Sequence, residues 1–272
     1  MAIPITFLML FVSLMLIITA TYYVAVTRIS AQGQVLNFSA AKQSMIDLEK
    51  NIETVLWSPG ASQVYYVDDF GGNLEIMPTA KILLLSLTDN NSSDVTLNSA
   101  GAIFNSPVGE VVYNLSYAEP GSSGLFLEGD ARVIVNSSSA TMSQLQLATG
   151  ETTQEIRLTY RPLASSMVTG SNSSKPVNTV RIYVINMTLP QSLNLSQSLS
   201  LSGGFYLKAT CVSVTSITRS CNVSAISSIQ VKAVFDGVNG MVSLPISSNV
   251  TSGAVVKVEL MTCNVQLQNV EV

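Results

Sequence analysis

Residues 2–27 read AIPITFLMLFVSLMLIITATYYVAVT, and they contain no charged side chain. As an α-helix rising about 1.5 Å per residue, this stretch spans roughly 35–40 Å, which is enough to cross a bilayer. Tyr22 and Tyr23 lie near its C-terminal end, where transmembrane helices often carry interfacial aromatic residues. A cleaved secretory signal is the alternative, but the apolar run is longer than a signal core and no clear A-x-A site follows it. The stretch therefore predicts a membrane-inserted helix.

The helical pattern continues past this stretch as far as residue 57. Residues 28–57 contain no proline, and apolar residues recur at spacings of three and four, which is typical of a helix with one apolar face. This stripe consists of Ala31, Val35, Phe38, Ala41, Met45, Leu48, Ile52 and Val55. The other faces carry Lys42, Asp47, Glu49, Lys50 and Glu53. Pro59 cannot continue the hydrogen-bond ladder, so we predict one helix about 80 Å long that packs both on its own domain and on neighbouring helices.

The orientation of the helix in a membrane is not obvious from its flanking charges. Arg28 follows the apolar stretch directly, and basic residues favour the cytoplasmic side of a membrane. This argues against placing the C-terminal part of the chain outside the cell. A short basic leader, removed after insertion, would resolve the conflict.

After Pro59 the apolar pattern changes to short runs and alternation with period two, separated by Gly, Asn, Ser and Pro. The predicted strands are 63–68, 73–77, 81–87, 110–116, 132–135, 155–160, 180–187, 204–214, 229–235, 240–244 and 255–261. The segments 69–72 and 236–240 are rich in Asp and Gly, which predicts hairpin turns. The spacing favours an antiparallel sandwich or barrel.

We expect two regions, a helix over residues 1–58 and a β domain over residues 59–272. The segment Ser171–Pro176 (SNSSKP) lacks apolar residues, so it could divide the β domain into sub-lobes 59–170 and 177–272. It could equally be a loop within one domain, and we favour the single domain.

Composition argues against several classes of function. The chain has no histidine, which removes the commonest general base and the usual zinc ligand. The net charge is −4 without a basic cluster, and this argues against nucleic-acid binding. Asp68 and Asp69 are adjacent carboxylates, but neighbours on a strand point to opposite faces, so we interpret them as turn residues. We expect neither an enzyme nor a bound cofactor or metal.

The three cysteines all lie in the last quarter of the chain and have no CxxC spacing. A hairpin-like disulfide between Cys211 and Cys221 is one candidate, and Cys211 with Cys263 is the competing pair. Three buried, reduced thiols are the third reading.

Asn-x-Ser/Thr sequons are more frequent than the composition explains, and they suggest N-glycans on an outer surface. The candidate sites are Asn90, Asn91, Asn114, Asn136, Asn172, Asn186, Asn194, Asn222 and Asn249. A further sequon at Asn37 lies on the predicted helix, where a glycan would disturb helix packing.

The first 58 residues resemble archaeal type IV pilin-like proteins, which include archaellins and adhesive pilins. The resemblance rests on Ala2-Ile3-Pro4, the uninterrupted apolar helix, its amphipathic continuation and the β domain that follows. It implies an immunoglobulin-like β-sandwich, so the expected fold is α+β. It also implies a subunit that is held in the cytoplasmic membrane, processed by a prepilin-peptidase-like enzyme and taken up by pilus-assembly machinery into an extracellular helical homopolymer.

We therefore expect a structural filament subunit for surface or cell adhesion. A motility filament and a single-pass surface glycoprotein that does not polymerise are the alternatives. The residues expected to pack between subunits are Ile3, Phe7, Leu8, Leu10, Phe11, Leu14, Leu16, Ile17 and Ile18, with Phe38 and Met45 below them.

Overall fold

The structure is a computed structural model that describes residues 2–89, 102–115, 123–136, 141–149, 153–172, 174–190 and 198–271. It begins with one unbroken helix, α1 (Ala2–Val55), and continues with β-strands. The chain is therefore α+β, as predicted. The helix ends at the predicted place, because Trp57 adopts a left-handed conformation (φ 62°) two residues before Pro59.

The predicted strands overlap the observed ones in all but one case. The observed strands are β1 (Ser62–Val67), β2 (Gly72–Asp89), β3 (Ala102–Leu115), β4 (Phe126–Glu128), β5 (Ser143–Thr149), β6 (Gln154–Tyr160), β7 (Leu163–Asn172), β8 (Lys175–Thr188), β9 (Leu199–Ser202), β10 (Phe205–Val223), β11 (Ser228–Phe235), β12 (Val238–Pro245) and β13 (Ala254–Val270). The exception is segment 132–135, where Val135 makes an isolated bridge with Leu163.

Sheet A has the strand order β1-β10-β13-β8-β7. Its neighbours are antiparallel except β13 and β8, which run parallel. The pairing of β10 with β13 extends from Tyr206 opposite Val270 to Val223 opposite Ala254. This is the longest strand pairing in sheet A.

Sheet B has the order β12-β11-β2-β3-β6-β5-β4, and β9 also pairs with β2. The register of β2 shifts between Met77 and Lys81, around Pro78, which has no N–H to donate to the ladder. The first part of β2 pairs with β9 and the last part with β11. Both sheets are curled into half-barrels.

The inner faces of the two sheets enclose two hydrophobic clusters. The helix-proximal core contains the C-terminal part of α1, for example Leu48, together with Leu145 of sheet B and Val265 of sheet A. The distal core lies between the sheets without the helix and includes Leu85 and Val258. The helix therefore closes one end of the β domain.

The strand pairings bear on the possible division of the β domain, the alternative to the single domain that we favour. The segment Ser171–Pro176 is not a domain break but the β7–β8 hairpin, in which Asn172 pairs with Lys175. The sub-lobes 59–170 and 177–272 are not separate units, because β1 pairs with β10 and β2 pairs with β11.

The two predicted hairpin turns had different outcomes. Asp236 and Gly237 form the two-residue β11–β12 turn, both with positive φ, as predicted. The turn at 69–72 instead leads from β1 in sheet A to β2 in sheet B, so it is a crossover between sheets.

Candidate functional site

The upper part of α1, residues 6–36, projects from the β domain, and we call it the free half of the helix. Its side chains are exposed on all faces, apart from the half-buried Gly33. Phe7, for example, is 74% exposed. The predicted assembly residues in this half are all exposed, namely Phe7, Leu8, Leu10, Phe11, Leu14, Leu16, Ile17 and Ile18. Ile3 lies in α1, and its side chain is outside the described part of the chain.

Three hydroxyl groups in the free half donate hydrogen bonds within the helix. Ser13 donates to the carbonyl of Leu10 at 2.9 Å, and Thr19 donates to that of Met15 at 2.8 Å. Thr27 donates to the carbonyl of Tyr23 at 3.0 Å. A hydroxyl that bonds back to its own helix can enter an apolar environment without losing its hydrogen bond. The free half is long and apolar enough to cross a membrane.

The lower part of α1, residues 38–55, is the docked half. Its stripe from Phe38 to Val55 is buried in the helix-proximal core, and the ammonium group of Lys42 lies 3.9 Å from the centre of the Phe38 ring. The prediction that Phe38 and Met45 pack between subunits is wrong, because both are buried against the chain's own β domain. The stripe predicted from residue 31 is therefore buried only from Phe38 onward.

Glu49 was expected on a face of the helix away from the apolar stripe, but it is buried. It is 4% exposed and lies among Glu53 of the helix, Glu128 of β4, Ser143 of β5 and Tyr160 of β6. Burial, followed by the neighbouring carboxylates, raises the pKa of Glu49 to about 7. Burial also raises the pKa of Tyr160 well above its usual value. Helical spacing puts Glu49 at the edge of the stripe, four residues after Met45 and three before Ile52, but it does not decide whether an edge position is buried.

The junction between helix and β domain is held by backbone and aromatic contacts. The Trp57 ring meets Tyr183 edge-on, with 5.3 Å between ring centres. The backbone N–H of Trp57 donates to the Cys263 sulfur at 3.5 Å. Gly60 donates to the carbonyl of Cys211 at 2.8 Å, and Cys211 donates to the carbonyl of Ala61 at 3.0 Å. The chain that leaves the helix is thus bonded directly to β10 at Cys211, which fixes the direction of α1.

The predicted disulfide between Cys211 and Cys221 does not fit the structure. Both residues lie on β10, and ten residues of extended strand separate them by roughly 33 Å. Cys263 on β13 is instead the neighbour of Cys211, with the two sulfur atoms 3.6 Å apart. All three cysteines are free in the structure.

A buried arginine, which sequence reasoning missed, holds the segment before β5. Arg161 is 1% exposed, and its guanidinium donates to the carbonyls of Thr141 at 3.1 Å and Arg132 at 3.0 Å. It also donates to the Asp130 carboxylate at 2.5 Å. Hydrogen bonds from Arg132 and Arg161 hold the pKa of Asp130 well below its usual range. The sequence carries no local pattern that distinguishes Arg161 from an exposed arginine.

The adjacent carboxylates Asp68 and Asp69 act as turn residues, as interpreted from the sequence. Asp68 accepts a hydrogen bond from the N–H of Asp69 at 2.8 Å, and Asp69 accepts one from the N–H of Gly71 at 2.9 Å. Across the described ranges, no group of three or more Asp, Glu and Cys side chains is arranged to hold a metal ion.

The described sequons differ in exposure. The exposed asparagines are Asn37, Asn136, Asn172, Asn222 and Asn249, and the half-buried ones are Asn114 and Asn186. Asn90, Asn91 and Asn194 lie outside the described residues.

Three of the exposed sequons lie at the end of sheet A that is remote from the helix. Asn172 is in the β7–β8 hairpin, and Asn222 pairs with the start of β13. Asn249 bridges to Gly253, immediately before β13 begins. By contrast, Asn186 is in the interior strand β8, where its amide group donates to Asn264 at 3.3 Å and its carbonyl oxygen accepts from the N–H of Gly109 at 3.3 Å.

The sequence was also compared with known proteins. No protein-family model matches it, and no curated protein is significantly similar to it.

Proposed function

We propose that this chain is a structural subunit of an extracellular helical filament, assembled by packing of its free helix halves and used for surface or cell adhesion. The observation that carries the proposal is the division of α1 into two halves. The apolar stripe of the docked half is buried from Phe38 to Val55. The free half extends for about 45 Å with apolar side chains on every face.

An apolar helix of this kind must be covered in its functional state. Burying one Leu, Ile or Phe side chain contributes about 1.5–3 kcal/mol, so exposing many of them to water is strongly unfavourable. Equivalent helices from other copies of the chain can supply the cover. A head-to-tail contact that does not close into a ring generates an open helical polymer.

The junction supports the same proposal. The contacts of Trp57, Gly60 and Cys211 hold the helix in a fixed direction relative to the β domain. A subunit whose β domain has a defined position on its helix can repeat regularly around a core of helices. The β domains would then form the outer shell. We also propose that the two curled sheets are an immunoglobulin-like domain, as the resemblance implies.

A membrane-anchored surface protein is the second candidate, because the free half is also long enough to span a bilayer. In that function lipid, not other subunits, covers the apolar side chains. The two candidates share the membrane-inserted state and differ in whether that state is final.

The first test introduces a charge into the free half. We expect Phe7→Glu or Leu14→Glu to abolish filaments seen by electron microscopy of cell-surface material, because a buried carboxylate without a partner is costly. Val250→Glu is the matched control, since Val250 is 89% exposed on the β domain and should tolerate the charge. Normal filament yield from Phe7→Glu would contradict the proposal.

The second test separates a filament from a lipid anchor. Thr21 and Ala25 form a small-xxx-small pair, a weak signal of helix–helix contact. Ala25→Leu makes the helix more apolar, so membrane insertion should be unimpaired. If helices pack closely at this position, filament yield or regularity should fall. The absence of filaments in the unmodified protein, with the chain retained in membranes, would favour the anchor.

A further inference from the structure

We propose that Cys211 and Cys263 form a disulfide that joins β10 to β13 beneath the end of α1. The two sulfur atoms are 3.6 Å apart across neighbouring antiparallel strands. Both residues are fully buried in the helix-proximal core. The inference rests on the proposed function in one respect, namely that the β domain is located outside the cell, where disulfides persist.

An irregularity of the β10–β13 ladder brings the two thiols together. Cys211 pairs with Val265 and Val214 pairs with Cys263, so the cysteines are not directly opposite each other. The register shifts between Cys211 and Ser213, which leaves Val212 as an extra residue. A bulge of this kind re-aims the neighbouring side chains. Cys263 lies two positions from Val265, the partner of Cys211, so both cysteines are on the inner face of sheet A. Bond formation requires the sulfurs to approach to about 2.05 Å.

The third cysteine cannot compete for either partner. Cys221 lies at the far end of β10, where its thiol points to the carbonyl of Val256 at 3.7 Å. The structure therefore gives one pair and one remaining thiol. Two buried sulfurs in contact also have no described third ligand that would make them a metal site.

Burial determines when the bond can form. Burial raises the pKa of the Cys263 thiol to about 11, and neither sulfur is accessible in the folded domain. The reactive thiolate is therefore scarce in the folded state, and an oxidant has no access. Oxidation must precede the docking of the helix end, during folding outside the cytoplasm.

The reaction is a thiol–disulfide exchange with a small-molecule disulfide or a disulfide-bearing oxidoreductase. One cysteine thiolate attacks the disulfide of this co-reactant, forms a mixed disulfide and releases one thiolate. The second cysteine thiolate then attacks its neighbour's sulfur and releases the other thiolate. The two cysteines lose two electrons and two protons, and the co-reactant is reduced to two thiols.

The bond would constrain both sheets. The cysteines are separated by 52 positions, and the loop that they close contains β11 and β12 of sheet B. Cys211 also exchanges backbone hydrogen bonds with the segment after the helix. A covalent link at this point would reinforce the place where a force along α1 enters the β domain.

The test counts free thiols in the full-length chain, folded in detergent in the presence of oxidised and reduced glutathione. The protein is then denatured, alkylated without reduction and analysed by mass spectrometry. We expect only Cys221 to be alkylated and a cross-linked peptide pair to contain Cys211 and Cys263. Cys221→Ser should retain the cross-link, whereas Cys263→Ser should lose it and expose Cys211 to alkylation.

Thermal unfolding of the unmodified protein provides a second measurement that requires no substitution. We expect the reduced form to melt about 10 °C lower than the oxidised form. Alkylation of all three cysteines, or a cross-link through Cys221, would overturn the inference. Filaments with three free thiols would contradict only the disulfide, and dispersed monomers with the cross-link would contradict only the filament.

Discussion

At the scale of single residues, Glu49 shows how a buried carboxyl group can set a pH limit on helix docking. Its surroundings include two further carboxylates, Glu53 and Glu128, and the hydroxyl-bearing residues Ser143 and Tyr160. Among the described residues, the neighbours that affect its pKa include no positive charge. The buried site therefore favours the protonated, neutral form of Glu49.

We predict that the unfolding free energy falls as the pH rises from about 4.5 to 7. The folded state raises the pKa of Glu49 from 4.5 to about 7, so it holds a proton that the unfolded chain releases in this window. The stabilising contribution is complete below pH 4.5, and its loss above pH 7 amounts to roughly 3 kcal/mol. Denaturant unfolding of the full chain in detergent, at several pH values, measures the slope.

Glu49→Gln should remove most of this slope, because a neutral amide does not ionise. Glu75→Gln is the matched control, since Glu75 lies on β2, outside the set of groups that shift the pKa of Glu49. The explanation fails if Glu49→Gln retains the full pH dependence between 4.5 and 7.

At the scale of elements, α1 is one helix with two environments, and substitutions should separate them. Ile52→Ala removes a fully buried side chain from the docked half, and we expect it to lower the unfolding free energy of the β domain by about 2–5 kcal/mol. Leu36→Ala, in the free half, is the control and should leave domain stability unchanged, because Leu36 is exposed. Equal effects of the two substitutions on denaturant unfolding would show that the helix is not docked as described.

The helix and most strands were predictable because they depend on local patterns. The apolar stretch, the stripe and Pro59 determine the helix, and Asp236-Gly237 determines a hairpin. β5 and β7 were missed for different reasons. β5 (SQLQLAT) has the period-two alternation of a strand, but only Leu145 and Leu147 are large apolar residues. β7 (LASSMVTGSN) is mostly polar, and its strand conformation comes from pairing with β8, which local sequence does not reveal.

The candidate site was predictable only in part for the same reason. The exposed residues of the free half follow from a run without charges, whereas the burial of Phe38 and Met45 depends on where the β domain meets the stripe. The proximity of Cys211 and Cys263 depends on the register of two strands and on a bulge between them. Neither feature is encoded in neighbouring residues.

At the scale of the whole molecule, the two ends of the β domain have different characters. The proximal end receives the helix, and the remote end of sheet A carries the exposed sequons Asn172, Asn222 and Asn249. In the proposed filament, helices form the centre and the remote ends face outward. Sugars at that end would add a hydrophilic surface without interfering with helix packing.

We predict that N-glycans in the native protein occupy Asn222 and Asn249 and that Asn186 is unmodified. Asn222 and Asn249 are exposed at the remote end, whereas the Asn186 amide is hydrogen-bonded to Gly109 of sheet B and Asn264 of sheet A. Asn222→Gln and Asn249→Gln should each lower the intact mass by one glycan, and Asn186→Gln, the matched control, should leave the glycan mass unchanged. A glycan on Asn186 together with bare Asn222 and Asn249 would place the outer surface of the domain elsewhere, because a sugar must project from a face that neighbouring subunits leave open.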